Sequence, residues 1–307
     1  MKRVLVTGAA GTLGLQTIKY LLSEGKYNIT VLDLKNKKVF RNLKKYRKRV
    51  DVIYGDVLDR NLVEKLVKNT DIIIHLASCL PPVCNYYKDI PKIIELDGTE
   101  NIVRAINYYN PKCYLIYGST TSLYTKDTSS KIITDTKDLD LFSANKVEAE
   151  KIIRESLRNY TILRFPLIMG DLGKDNFIYS VDKNEDVEVV TKEDAAEAII
   201  SSINNFSKAN KKTFNIGGGE TCRINFNELL NRILNVHGVS NKFICGRFLV
   251  EKTFTSPYLK DTDKANEILG YQNDSLTTYF RRQNKRSHHR KIRKLLGKLF
   301  ISKRKVK

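Results

Sequence analysis

The sequence predicts an α/β protein, doubly wound around a parallel sheet, with a smaller mixed α/β lobe following it. Three observations carry this. Short runs rich in Val, Ile and Leu alternate with helical patterns through the first half of the 307 residues, as βαβ units require. Those runs are continuously apolar, as in strands covered on both faces. A glycine-rich turn joins the first run to the first helix.

In chain order, KRVLVT (2–7) reads as a strand, followed by a helix from about Gly11 to Ser23, a strand in NITVLD (28–33) and a basic helix. A strand in VDVIYG (50–55), a short helix and a strand in DIIIHLA (71–77) come next. The spacing then predicts a helix over about Pro91 to Tyr108 before CYLIYGS (113–119), and one over about Phe142 to Leu157 before YTILRF (160–165). After Pro166 the rhythm becomes mixed and more polar. Helices are expected near Asp194 to Asn205, Phe226 to Val236 and Asp261 to Leu269, with a strand in KTFNIGG (212–218). This divides the chain into a nucleotide-binding domain (1–165), a small substrate-binding lobe intertwined with it (166–275) and a basic, partly amphipathic helical tail (276–307).

Composition narrows the function classes. A hydrophobic content of 41% supplies a sizeable core. No run approaches the roughly 18 apolar residues of a membrane span, and Met1 leads directly into a strand without a signal-peptide core, so a cytoplasmic protein is expected. Five scattered cysteines with no CxxC pair and four histidines read as reduced thiols and suggest no metal site. The net charge of +20 is concentrated: residues 35–49 hold nine Lys/Arg and residues 281–307 hold thirteen, neither with an acid, which leaves the rest near neutral. Such blocks suit an anionic partner, whether nucleic acid, a membrane surface or a nucleotide-linked substrate, or serve solubility.

The segment VLVTGAAGTLG places Gly8, Gly11 and Gly14 between a strand and a helix. A chain turning that sharply aims free helix N–H groups at a pyrophosphate, and side chains at the glycines would obstruct the approach. This is a Rossmann-type arrangement. Asp33 closes the second strand, where a carboxylate accepts hydrogen bonds from an adenosine ribose and opposes a 2′-phosphate, so NAD is expected over NADP. Lys35, Lys37 and Lys38 partly offset that preference.

With these motifs in place, the sequence resembles the extended short-chain dehydrogenase/reductases of the NAD-dependent epimerase/dehydratase type. The resemblance runs over roughly residues 2–270 and rests on TGAAGTLG, Gly55-Asp56-Val57, His75-Leu76-Ala77, YGSTTSLY, Leu163-Arg164-Phe165-Pro166 and Phe214-Asn215-Ile216-Gly217-Gly218, in the family's order. It implies cofactor contacts from Gly8, Gly11, Thr12, Leu13, Gly14, Asp33, Asp56, Val57, Leu76, Ala77, Lys146 and Phe165. It also implies a nucleotide sugar or related polyol as substrate. The family's catalytic Ser/Thr, Tyr and Lys fall on Thr120, Phe142 and Lys146. A phenyl ring has no proton to exchange. Tyr124 is a substitute acid/base candidate, expected near Thr120. Glu95 stands where the family usually has Asn, and the interval from Pro166 to Asp194 is shorter than the family's substrate-binding insert.

In the tail, Ile292, Leu295, Leu296, Leu299 and Phe300 recur at helical spacing among Lys and Arg. They form one apolar stripe on a cationic helix, suited to anionic lipid or to docking on protein. The candidate partners are therefore a small-molecule substrate, an anionic membrane at the inner face, nucleic acid and a second copy in a homodimer. The readings left open are an enzyme acting on a nucleotide sugar or polyol, a non-catalytic NAD-binding regulator or scaffold, and an RNA-binding relative of the fold.

Overall fold

A computed structural model of the chain describes residues 1–79, 92–125, 128–132, 141–170, 184–237 and 256–288. Its centre is a seven-stranded sheet built from β1 (Lys2–Thr7), β2 (Tyr27–Asp33), β3 (Asp51–Tyr54), β4 (Ile72–His75), β5 (Tyr114–Thr120), β8 (Tyr160–Phe165) and β11 (Lys212–Asn215). The order is β11-β8-β5-β4-β1-β2-β3, with every neighbouring pair parallel. The strands obey the pattern that their apolar runs demand. On β1, Val4 and Val6 face one core while Leu5 faces the other.

Helix α1 (Thr12–Glu24) brings Ile18 and Leu21 to the first core, opposite Ala195 and Ile199 of α6 (Lys192–Asn204). On the other face lie α3 (Arg60–Val67), α4 (Gly98–Tyr109) and α5 (Leu141–Ser156), contributing Val63, Ile102 and Ile153. The basic helix expected after β2 is α2 (Lys37–Leu43), capped by the Asn36 side chain at the N–H groups of Lys38 and Val39. The helix expected from Pro91 begins, within the described residues, as a π turn over Ile93–Asp97 that passes into α4.

The small lobe carries a second sheet, β12-β10-β9, from β9 (Leu167–Met169), β10 (Asp186–Thr191) and β12 (Arg223–Asn225). A two-stranded hairpin joins β6 (Tyr124–Thr125) to β7 (Thr128–Ile132). A short helix α7 (Phe206–Ala209) precedes β11, and α8 (Phe226–His237) and α9 (Thr262–Leu269) follow β12. The expected lobe boundary at residue 275 divides a packed unit. Helix α10 (Leu276–His288) buries Leu276, Tyr279 and Phe280 in the lobe's core against Phe226, Leu229 and Ile233. Three large apolar side chains on a polar helix were enough to seat it, and its low average hydropathy concealed them. The apolar stripe from Ile292 to Phe300 lies outside the described residues. Among the described residues no helix is long and apolar enough to cross a membrane.

Candidate active site

Because the large sheet is parallel, the carboxyl ends of β1 to β5 and β8 share one edge. The chain leaves β1 towards β2 and β3 and returns to β4 on the other side, so a crevice opens between β1 and β4 at that edge. Gly8, Leu76 and Ala77 meet there. Gly8 has φ +64°, and a Cβ on it would lie 2.5 Å from the Leu76 carbonyl oxygen and 2.6 Å from the Ala77 nitrogen. A Cβ on Gly14 would lie 2.6 Å from the Gly8 oxygen, whereas Gly11 has only that oxygen nearby, at 3.2 Å. Gly8 and Gly14 are thus fixed by the packing of the turn itself, while a Cβ on Gly11 would press on the Gly8 oxygen alone. Helix α1 starts after Gly11 with no side-chain cap hydrogen bond and no acid in its first turn.

Asp33 stands at the end of β2. Its carboxylate accepts the Ala10 N–H at 2.7 Å and the Leu34 N–H at 2.8 Å, tying the glycine turn to the neighbouring strand. Burial pushes its carboxyl up despite these two bonds. Asp56 closes its own turn by accepting the Leu58 N–H, and Val57 is buried, its side chain 2.8 Å from where a Gly98 Cβ would stand.

His75, fully buried at the end of β4, links the two halves. Thr99 Oγ1 donates to the Glu95 carbonyl, so it receives the proton of His75 Nε2 at 3.2 Å; Nδ1 then accepts from Thr7 Oγ1 at 2.6 Å. Burial, and then the charge of Lys146, hold the imidazole neutral with a pKa of about 3.

The second group lies at the ends of β5 and β8. Thr120 Oγ1 is 2.9 Å from Ser122 Oγ, which is 2.8 Å from Ser143 Oγ on α5. This run of three buried hydroxyls was not anticipated, since isolated serines carry no sequence signal. Lys146 is 2% exposed; it donates to the Gly118 carbonyl at 2.8 Å, pairs with Glu95 at 2.7 Å and lies 4.6 Å from the centre of the Tyr117 ring. Burial by itself lowers its pKa, but Glu95 and Tyr117 together outweigh this and the net shift is upward. Phe142 packs on Cys79 and Ile94, its ring centre 5.8 Å from Lys146 Nζ. Phe165 is buried beside Gly118.

Tyr124 does not join the hydroxyl run of Thr120. Its phenol donates to Asn215 Oδ1 at 2.8 Å and accepts from Arg164 at 2.7 Å. Arg164 in turn makes two bonds to Glu150, at 2.9 and 2.5 Å, while Ser119 donates to the same carboxylate. Arg154 is a further partner of Glu150, and Asn215 reaches Asp261. Tyr124 is therefore held in a buried network joining α5, β8, β11 and the small lobe. The helical period could have revealed Glu150, which lies four residues after Lys146 on one face. Its partner Arg164, on another strand, could not have been read that way. Among the described residues no group of His, Cys, Asp and Glu is arranged to hold a metal ion.

A parallel doubly wound sheet with a glycine turn and a strand-end acid at its switch point defines a dinucleotide-fold protein. Residues 4–217 match the NAD dependent epimerase/dehydratase family, and the chain belongs to that family. Its relatives include a UDP-N-acetyl-alpha-D-glucosaminuronate decarboxylase of Bacillus cytotoxicus, 31% identical over 41% of this chain and 39% of that protein. A CDP-paratose 2-epimerase of Salmonella typhi is 30% identical over 40% of this chain and 38% of its own length. The chain thus spans about two fifths of the length of these curated relatives. The fold is also that of the UDP-glucuronic acid 4-epimerase of Bacillus cereus in complex with UDP-glucuronic acid and NAD (TM-score 0.75, 18% identity, 94% and 99% of the two chains). Pal from Bacillus thuringiensis is similar to it as well (TM-score 0.74, 20% identity, 92% and 98%).

Proposed function

We propose that the protein binds NAD in the crevice between β1 and β4 and receives a nucleotide sugar or related polyol beside it, at the ends of β5 and β8. The observation that carries this is the backbone cradle at Gly8, where a methyl group would strike three backbone atoms. Beside it stand the uncapped start of α1 and a strand-end Asp33 with lone pairs left after its two backbone bonds. Gly8, Gly11, Thr12, Leu13 and Gly14 would face the pyrophosphate, Asp33 the adenosine ribose, and Asp56 with Val57 the adenine. Leu76, Ala77 and Phe165 would line the inner part of the crevice. NAD bound there supplies a two-electron hydride acceptor. The chain's own contribution beside it is the hydroxyl run from Thr120 through Ser122 to Ser143, which can hydrogen-bond a substrate hydroxyl. The relatives named for nucleotide sugars support the substrate class.

A second reading, a non-catalytic NAD-binding regulator, is favoured by Phe142, which places an apolar ring where the resemblance implies a proton carrier. Tyr124 offers no replacement, because its phenol is committed to Asn215 and Arg164. A cytoplasmic location, with the basic tail bringing the protein to anionic lipid at the inner face, belongs to the same proposal and rests on the charge distribution.

The cofactor assignment is tested by calorimetry with NAD and NADP. Wild type should bind NAD more tightly by at least about tenfold, as a carboxylate a few ångströms from a phosphate costs on the order of 1–4 kcal/mol. Asp33→Asn, which keeps an acceptor for Ala10, should narrow the gap. Tighter NADP than NAD binding by wild type would refute the assignment.

A further inference from the structure

We propose that Glu95 is a positioning residue that captures the Lys146 ammonium and cancels its charge in front of Phe142, so that the site lacks a proton carrier for two separate reasons. The inference deepens the NAD-binding reading and rests on it for one of its two tests.

Glu95 lies in the π turn Ile93–Asp97, one residue wider per turn than an α-helix, and is 1% exposed. One carboxylate oxygen accepts from Ser78 Oγ at 2.5 Å and from the Cys79 N–H at 2.9 Å; the other pairs with Lys146. Lys146 donates to the Gly118 carbonyl, and its ammonium lies 2.7 Å from the Glu95 carboxylate and 4.6 Å from the centre of the Tyr117 ring. A lysine held this way has to leave Glu95 to turn its ammonium towards a ribose hydroxyl.

The electrostatic consequence is as specific. An unpaired ammonium 5.8 Å from the ring at position 142 would lower the pKa of a phenol placed there. With a carboxylate 2.7 Å from the same nitrogen, the pair acts as a short dipole, whose potential falls off much faster than that of one charge. Among the described residues near the pair, the other titratable groups supply no replacement cation. His75 is neutral, burial pushes the Cys79 thiol up, and burial pushes the Tyr117 phenol up to about 12. A purely structural ion pair would make no prediction about the charge felt at position 142. It would also predict looser, not tighter, cofactor binding when broken.

The experiment uses the full chain as wild type, Phe142→Tyr, Glu95→Gln and the double variant. Ultraviolet difference titration against the matching Phe142 parent reads the ionisation of the introduced phenol, without any dinucleotide. With Glu95 present it should ionise at or above the ordinary value of about 10; in the double variant it should ionise at least about one pH unit lower. Calorimetry should show Glu95→Gln binding NAD at least about threefold more tightly than wild type, as the freed ammonium reaches the ribose. A phenol that ionises a full unit below 10 with Glu95 intact overturns the proposal from the single Phe142→Tyr variant alone, even if Glu95→Gln fails to fold. An unshifted phenol in the folded double variant overturns it as well. Wild type that does not bind NAD, with the phenol shift observed, refutes the cofactor reading and leaves the role of Glu95 standing.

Discussion

Gly8 shows at the residue scale how a loop pattern becomes a physical requirement. Its φ of +64° lies in the left-handed region, and three backbone atoms stand within 2.6 Å of any Cβ, so neither strain nor clash can relax by rotating a side chain. Gly8→Ala should destabilise the protein by at least about 2 kcal/mol in chemical denaturation. Gly11→Ala, whose Cβ would meet a single oxygen at 3.2 Å, should cost much less. Equal costs would mean that the turn is not constrained as described. Both glycines were legible in the sequence because their spacing follows from the turn. The partner of Lys146 was not, since Glu95 reaches it from a different element through a π turn that no periodicity announces.

At the scale of elements, the strands and helices of the large sheet owe their places to continuous apolar runs, but α5, β8 and β11 are also locked by charge. Glu150 is nine-tenths or more buried and receives Arg164, Arg154 and Ser119. Burial alone would raise its pKa, yet the bonds and charge of Arg164 outweigh that and hold the carboxyl below its ordinary range. A depressed carboxylate pKa means stability that is present above the unfolded value, near 4.3, and lost as pH falls through the folded value. Glu150→Gln leaves the Arg164 guanidinium short of its charge partner in the core and should cost about 3 kcal/mol or more at neutral pH. The variant should also lose less of its remaining stability than wild type as the solution is acidified below about pH 4. Thermal denaturation across pH measures both, and an unchanged acid response would show that Glu150 is not the group responsible.

The whole molecule is closed by α10, which places Leu276, Tyr279 and Phe280 in the small lobe's core while the Tyr279 hydroxyl donates to the Gly170 carbonyl at 2.6 Å. Each such side chain contributes roughly 1.5–3 kcal/mol on burial, together comparable to the 5–15 kcal/mol that holds an ordinary domain. Truncation after residue 288 should therefore leave Tm within about 2 °C of wild type and abolish co-sedimentation with anionic vesicles, whereas truncation after residue 275 should unfold the small lobe. Vesicle binding that survives loss of residues 289–307 would remove the tail from the membrane proposal. The sequence by itself determined the parallel doubly wound sheet, the glycine turn, the strand-end acid and the absence of a tyrosine at position 142. Each of these is written in local spacing, residue type and the order of segments. Only the tertiary structure decided that Glu95 holds Lys146, that Tyr124 belongs to the Arg164 network and that α10 is part of the core. Those choices are made between residues far apart in the chain, where burial decides which charge and which hydroxyl find each other.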